Sequence, residues 1–354
     1  MNRSKTILKN MLNEIKLIKN KKPITNNSKK IYKKRLITYS QFKKKILDPK
    51  KNPLLNKFIK KRYIIEVESA LQIYKNRYTL YKSPYSNNQF STLYNQPEIM
   101  YKNRLNEMLS YFLTEKNKDK ILNMIKDNKN DKEIYQFIKN NYKLKNSRKD
   151  KISIYRMAKI SDIISYNFDK NKKIKLLDIG IGTGKKTKII QQFTNCEIYG
   201  ADIKDWGPYS DVKKFNFPFE FIQEKPYKIP YKDKMFECII LILTLHHCED
   251  IIATINECKR ILKDDGIIVI IEHDVWNDYD NMIIDMQHCI YQKIFKEKEH
   301  PRGNYFNFYE WDLLFERCGM YPDYGDRIVD NVSFSFRYDI QFVSTYKKNT
   351  NNKN

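Results

Sequence analysis

Apolar and amphipathic segments alternate along the second half of the chain. Five short apolar runs have the length of buried strands, and they lie at 174–179, 196–201, 219–223, 236–243 and 267–271. Segments with helical spacing lie between or after these runs, at 250–263, 279–296 and 308–318. Strands that alternate with helices indicate an α/β fold with a mostly parallel sheet. Two alternating runs within 321–348 predict an antiparallel hairpin that completes this sheet.

The first half has a different pattern, which is helical and polar. Helices are predicted at 55–80, 98–115, 117–127, 131–142 and 153–167. Residues 1–35 carry clusters of Lys and Asn and are predicted to be a basic, partly disordered arm. We therefore divide the chain into this arm, a basic helical region at 36–150 and an α/β domain at 151–354.

Charge follows the same division. The whole net charge of +25 lies in residues 1–150, and residues 151–354 are neutral overall. A basic region joined to a neutral domain is typical of a nucleic-acid-binding extension on an enzyme, so RNA is the expected partner of residues 1–150. Tyrosines interleaved with lysines between Tyr74 and Lys82 also suit base stacking. The alternative is that a chain rich in Lys and Asn reflects an AT-rich genome and that this region only caps the domain.

The six cysteines are scattered in the neutral half without a C-x-x-C pair, which predicts reduced thiols. The first 20 residues lack an uninterrupted apolar stretch, so no secretory signal is expected. The most apolar run, 239–245, is too short to cross a membrane. These observations predict a cytoplasmic protein.

A glycine-rich turn follows the first strand and carries the most specific chemistry. Asp178, Gly180, Gly182 and Gly184 form a D-x-G-x-G-x-G pattern, and Asp202 ends the next strand. Glycines permit a tight turn on which a ligand lies close to the backbone, and the helix that follows offers free N–H groups to an anion. A carboxylate at the end of the second strand is placed to accept ribose hydroxyls. The spacing differs from the G-x-G-x-x-G of dinucleotide sites.

Four motifs in order resemble class I S-adenosylmethionine-dependent methyltransferases of the type 11 branch. They are L-D-I-G-I-G-T-G, Asp202, the segment from I-P-Y to L-H-H at 229–247, and R-I-L-K-D-D-G-I-I-V-I at 260–270. The resemblance covers residues 153–348. It implies a Rossmann-like sheet of seven strands, mostly parallel, with helices on both faces and S-adenosylmethionine as cofactor. Composition and the E-H-D segment at 272–274 also resemble methyltransferase-like proteins of large DNA viruses, in which case the location would be the host cytoplasm.

The resemblance also implies which residues bind the cofactor. They are Asp178, Gly180, Gly182 and Gly184 for the methionine and ribose portion, Asp202 for the ribose, Leu243 and Thr244 beside the transferred methyl group, and Glu224 for adenine. The family has an acid where this chain has Lys225, so Glu224 takes that role only after a shift of one residue.

Histidines and acids supply candidates for proton transfer. His246, His247, His273 and His288 fall on segments expected to meet at the carboxyl ends of the strands, together with Glu272. Catalytic roles are predicted for His273, His246 and Glu272, with His273 first because it directly follows a strand. No metal site is predicted, because the E-x-x-E-H spacing of some metal-dependent ribose methyltransferases is absent. Shaping of the loop by the histidine pair and binding of a divalent ion stay open as alternatives.

The sequence therefore predicts a methyltransferase whose acceptor is RNA. The alternatives are an acceptor that is a small molecule, a lipid or a protein, and a catalytically silent methyltransferase-like binding subunit. Known nucleophile motifs for base or ribose methylation are absent after the fourth strand, so the methylated atom stays open.

Overall fold

The computed structural model describes residues 88–97, 99–143, 146–204, 211–224, 227–295, 303–328 and 341–348. The helices in these ranges are α1 (Gln89–Tyr94), α2 (Ile99–Phe112), α3 (Glu115–Lys126), α4 (Asp131–Asn141), α5 (Asn146–Asn167), α6 (Lys185–Phe193), α7 (Ile251–Ile261), α8 (Asp278–Phe295) and α9 (Phe308–Arg317). The strands are β1 (Ile174–Ile179), β2 (Cys196–Asp202), β3 (Phe219–Phe221), β4 (Gln223–Glu224), β5 (Tyr227–Lys228), β6 (Phe236–Ile242), β7 (Leu262–His273), β8 (Met320–Ile328) and β9 (Gln341–Lys348).

The main sheet has seven strands in the order β3-β2-β1-β6-β7-β9-β8. Strand β1 pairs in parallel with both β2 and β6, and β6 pairs in parallel with β7. Strand β9 runs antiparallel to both of its neighbours. The fold class expected from the sequence, a Rossmann-like and mostly parallel sheet, is confirmed. The strand order reverses at β1, and this opens a crevice at the carboxyl ends of the strands.

The central strands are apolar because both of their faces are covered. All seven residues of β6 are buried, as expected for a parallel strand between two helical layers. One hydrophobic core joins one face of the sheet to α7 and α9, and the other joins the opposite face to α5 and α6. This packing on both faces fixes the position of the carboxyl ends of the strands, where the site residues lie.

Most predicted elements agree with the observed bounds to within three residues, and two of them, α5 and β7, differ by more. Helix α5 begins at Asn146 rather than 153. The third strand ends at Phe221, and a separate two-residue hairpin of β4 and β5 follows it. Strand β7 begins at Leu262 rather than 267, because Leu262 already pairs with Phe236 before a register shift in the ladder.

Helices α1–α4 pack with α8 around a third hydrophobic core, and we call these five helices the cap. A buried ion pair between Arg104 of α2 and Asp280 of α8 crosses this core. The Asn277 side-chain amide also donates to the Tyr101 hydroxyl at 3.0 Å. Because α8 lies between β7 and α9 in the chain, the cap is joined directly to the strand that carries Glu272.

Several predictions fall outside the described residues, namely the arm at 1–35, the helix at 55–80, the tyrosines and lysines at 74–82, and Lys225. The domain boundaries at 35 and 150 stay predictions. All six cysteines are described, and each is a free thiol. Among the described helices, none is both long enough and apolar enough to cross a membrane.

Candidate active site

The glycine loop between β1 and α6 adopts the conformation that its glycines permit. Gly180, Gly182 and Gly184 all have positive φ, at 72°, 56° and 74°, a region that other residues occupy at a cost. A Cβ at Gly180 would lie 2.5 Å from the Thr244 side chain. The two loops that follow β1 and β6 therefore approach each other closely, which requires a glycine at position 180.

Asp202 holds this loop from the end of β2. Its Oδ2 accepts a hydrogen bond from the Gly182 backbone N–H at 2.9 Å, and its Oδ1 accepts one from the Ile203 N–H at 2.8 Å. The side chain is only 6% exposed. Two backbone N–H groups of the protein thus orient the carboxylate, at the place that the sequence predicts for the ribose.

Asp178 points into the protein at the end of β1. Its carboxylate accepts a hydrogen bond from the Thr187 hydroxyl in the first turns of α6. Burial raises the pKa of Asp178 to about 7, while this hydrogen bond opposes the shift. The observed contact connects strand to helix, and the role of Asp178 toward the cofactor stays a prediction.

The loop after β6 is bent at Leu243, which has a φ of 55° although it is not a glycine. Non-glycine residues in this region cost about 1–3 kcal/mol and persist where the surroundings hold them. Here the Leu243 N–H donates to the Ile271 carbonyl at 2.7 Å. The Thr244 N–H donates to Glu272 Oε1 at 3.0 Å. Strand β7 therefore holds the turn that faces the glycine loop.

Glu224 lies in the short hairpin of β4 and β5, where it pairs with Tyr227. Its side chain is exposed. Its predicted contact with adenine stays a prediction. Ile203 and Phe221 lie nearer to Asp202 and are 54% and 56% exposed. Phe221 is the register partner of Asp202 across β2 and β3. Two apolar side chains beside the predicted ribose site suit the face of an adenine ring.

A histidine and a glutamate meet at the carboxyl ends of β6 and β7. His246 Nδ1 lies 2.5 Å from Glu272 Oε2, and both side chains are 1% exposed. Glu272 Oε1 accepts hydrogen bonds from the backbone N–H groups of Thr244 and Leu245, at 3.0 and 2.7 Å. With Oε1 occupied by these two donors, Oε2 faces His246, and in its ionised form it accepts a hydrogen bond from a proton on Nδ1.

Burial raises the pKa of Glu272 to about 7, and His273 and the backbone N–H groups oppose that shift. Water therefore does little to solvate the charged form of this carboxyl group. His246, with its Nδ1 toward Glu272, presents Nε2 as the basic nitrogen. This arrangement can remove a proton from a bound molecule.

The structure gathers the four predicted histidines into one cluster with Tyr305. The His246 ring centroid lies 4.0 Å from that of His247, 4.9 Å from that of His273 and 5.3 Å from that of His288. The Tyr305 hydroxyl lies 3.0 Å from His288 Nδ1. Among the predicted catalytic residues, His246 and Glu272 form the direct contact, while His273 meets His246 through ring packing. Tyr305 was not predicted, since no motif surrounds it.

Arg156 of α5 contacts the same end of the sheet. It is buried, and its Nε donates to Gln341 Oε1 at 2.7 Å. Gln341 is the register partner of His273 across β7 and β9. The structure therefore places Arg156 beside the histidine cluster rather than on the exposed surface.

A family model described as a methyltransferase domain matches residues 177–270. A sterol 24-C-methyltransferase of Gibberella zeae is 25% identical over 130 residues, which cover 35% of this chain and 34% of that protein. A highly reducing polyketide synthase of Aspergillus nomiae is 23% identical over 130 residues, covering 32% of this chain and 5% of that protein.

The chain thus spans about a third of the length of the sterol methyltransferases that it matches. Among solved structures, the citrinin polyketide synthase CMeT domain matches with 13% identity and a TM-score of 0.42, over 57% of each chain. The family match includes the glycine loop, Asp202 and His246, and ends two residues before Glu272.

Proposed function

We propose that this chain, which contains a class I S-adenosylmethionine-dependent methyltransferase domain, methylates a small molecule that loses a proton to His246. The contact between His246 and Glu272 carries the proposal. This contact lies at the carboxyl ends of the strands, where the glycine loop also lies. Glu272 connects His246 to that loop, because it accepts a hydrogen bond from the Thr244 backbone N–H.

The residues around the glycine loop suit the cofactor. Asp202 has an oriented carboxylate, the glycines allow close approach to the backbone, and Ile203 and Phe221 offer apolar surface. S-adenosylmethionine supplies an electrophilic methyl group on a sulfonium centre. The chain has to hold the acceptor in line with that group and to keep water out.

His246 supplies the base in this proposal. Glu272 fixes the Nδ1–H tautomer, so Nε2 can accept a proton from the acceptor atom that will carry the methyl group. The positive charge that develops on the imidazole is then stabilised by the Glu272 carboxylate at 2.5 Å. Glu272 acts through His246 and through the Thr244 loop, which makes it a positioning residue.

The burial of the histidine cluster supports an acceptor that is small and weakly polar. His246, Glu272, His273 and Tyr305 are each at most 3% exposed. Helix α8 of the cap carries His288 over the same cluster. The relatives support a carbon acceptor, since they are named for transfer to a sterol carbon and for polyketide synthesis. A carbon nucleophile that must lose a proton requires a base, which His246 provides.

The test uses the full-length chain, tritium-labelled S-adenosylmethionine and a cell extract separated into organic-phase molecules, aqueous small molecules and RNA. We expect label in the organic phase with the parent and at least 100-fold less with Glu272→Gln. Glu237→Gln is the matched control, because Glu237 lies at the opposite end of the same sheet in a bond with the Lys175 N–H. Equal labelling by parent and Glu272→Gln would refute the role of this pair.

RNA is the second candidate acceptor, and the position of the charge favours it. The net charge of +25 lies in residues 1–150, ahead of the domain. If RNA is the acceptor, label will enter the RNA fraction and will decrease steeply as salt rises, because phosphate contacts release counterions. Label that stays out of RNA at low salt would exclude this candidate.

A further inference from the structure

Three histidines from two separate elements point to one place in the cluster. His246 and His247 lie in the short 3-10 turn after β6, and His288 lies in α8. One ring nitrogen from each lies within 4.8 Å of the nitrogens of the other two. Convergence of three imidazoles from distant parts of a chain is the pattern of a metal-binding centre.

The contacts behind two of the rings strengthen this interpretation. His246 Nδ1 is 2.5 Å from Glu272 Oε2, and His288 Nδ1 is 2.8 Å from the Ile284 carbonyl oxygen. An imidazole that donates from Nδ1 to a carboxylate or carbonyl presents Nε2 as its ligand atom. Such outer contacts orient the histidines of metal centres and increase their basicity.

We propose that His246, His247 and His288 bind a divalent transition-metal ion of the zinc class, and that the bound ion blocks methyl transfer. Imidazole nitrogens suit Zn²⁺, Ni²⁺ and Cu²⁺, whereas Mg²⁺ and Ca²⁺ prefer oxygen ligands. Zinc–nitrogen bonds of about 2.0–2.1 Å place tetrahedral ligands about 3.4 Å apart, so the rings need only small rotations to close around the ion. A fourth position is left for water.

Charge and access fit a cation at this point. Glu272 contacts Nδ1 of His246, so its carboxylate supplies a negative charge across the imidazole ring from the ion. His247 and His288 are partly exposed, whereas His246 is buried. An ion can therefore arrive from the side of His247 and His288 and complete its coordination on the buried ring.

Inhibition follows from competition for one nitrogen, and this part rests on the proposed function. The Nε2 lone pair that would accept the proton of the acceptor is the same one that would bind the ion. The metal-bound and the base-competent states of His246 therefore exclude each other. No bond is made or broken in the inhibited state, and removal of the ion restores the base.

Binding is tested by calorimetric titration of Zn²⁺ into the full-length, tag-free chain without any acceptor. We expect one site per chain and a loss of at least 10-fold in affinity for His247→Ala and for His288→Gln. Glu272→Gln should weaken binding by about 10–100-fold, as expected for an outer contact of a metal ligand. His273→Asn is the matched control, because its ring packs in the cluster but is not one of the three, and its affinity should match the parent.

Absence of a stoichiometric site in the parent, or unchanged affinity in both His247→Ala and His288→Gln, would overturn the metal site. Thermal unfolding of each variant confirms that it is folded. Inhibition is measured separately as parent methyl transfer with Zn²⁺ and after a chelator. Binding without inhibition would overturn only the regulatory part, and binding with an inactive Glu237→Gln control would count against the proposed function instead.

Discussion

The candidate active site has a cofactor side and an acceptor side. The contacts that hold each side join residues at very different separations along the chain. On the cofactor side, Asp178 bonds to Thr187 nine residues later, and Asp202 bonds to Gly182 over 20 residues. On the acceptor side, Arg156 bonds to Gln341 over 185 residues, and Arg104 pairs with Asp280 over 176. The first side is a local motif, while the second exists only when the whole domain is folded. The two sides should therefore respond differently to mutation.

The largest expected effect concerns the acceptor side. Glu272→Gln should lower methyl transfer by about 10²–10⁴-fold, because an amide N–H₂ group facing Nδ1 would force the proton of His246 onto Nε2. Cofactor binding should change by less than threefold, and equilibrium binding of S-adenosylmethionine measures this. His273→Asn, at the position that the sequence favours most, should cost less than Glu272→Gln. The reverse ranking would assign the base to His273.

The buried ion pair of the cap comes next. Arg104→Met should lower the free energy of unfolding by about 3–5 kcal/mol, since it leaves the Asp280 carboxylate buried without its cation. The double variant Arg104→Met with Asp280→Leu should recover most of this loss, because it removes both charges. Chemical denaturation of the three proteins measures these differences. A single variant as stable as the parent would show that the cap does not depend on this pair.

The stability of the cofactor side should depend on pH through the titration of Asp178. Its pKa is raised from 3.8 to about 7 in the folded chain. Its contribution to stability is therefore complete below about pH 4 and is lost as pH rises through 7, by up to about 4 kcal/mol. Asp178→Asn should remove this loss, so the variant should become more stable relative to the parent between pH 4 and 8. Parallel pH profiles for both proteins in thermal unfolding would contradict this.

The smallest expected effect concerns Asp202, and it is confined to cofactor binding. S-adenosylmethionine at 100 times its dissociation constant should stabilise the parent by about 2.7 kcal/mol. Asp202→Ala should remove that stabilisation, because the variant has no oriented carboxylate beside the glycine loop. A melting curve with and without ligand measures both. An unchanged ligand shift in the variant would place the ribose elsewhere.

The same contrast explains what the sequence could predict. The glycine loop, β1, β2 and Asp202 were predicted because their chemistry lies within one short segment. The convergence of His246, His273 and His288 could be expected from the carboxyl ends of parallel strands, but the contact between His246 and Glu272 could not. Spacing along one helix gave no metal motif, whereas the three histidines of the proposed site come from two elements. Tyr305 and the burial of Arg156 depend on loop and helix placement that no local pattern encodes.

The separation between Arg104 and Asp280 has a consequence for the order in which the protein is made. A ribosome adds about 5–20 residues per second, so the cation precedes its buried partner by about 10–35 s. During that interval the apolar faces of α1–α4 have been synthesised without the helix that completes their core. The sheet up to β7 emerges in the same interval. Helices α1–α4 are thus made before the sheet, and their core is completed only after β7 has been made.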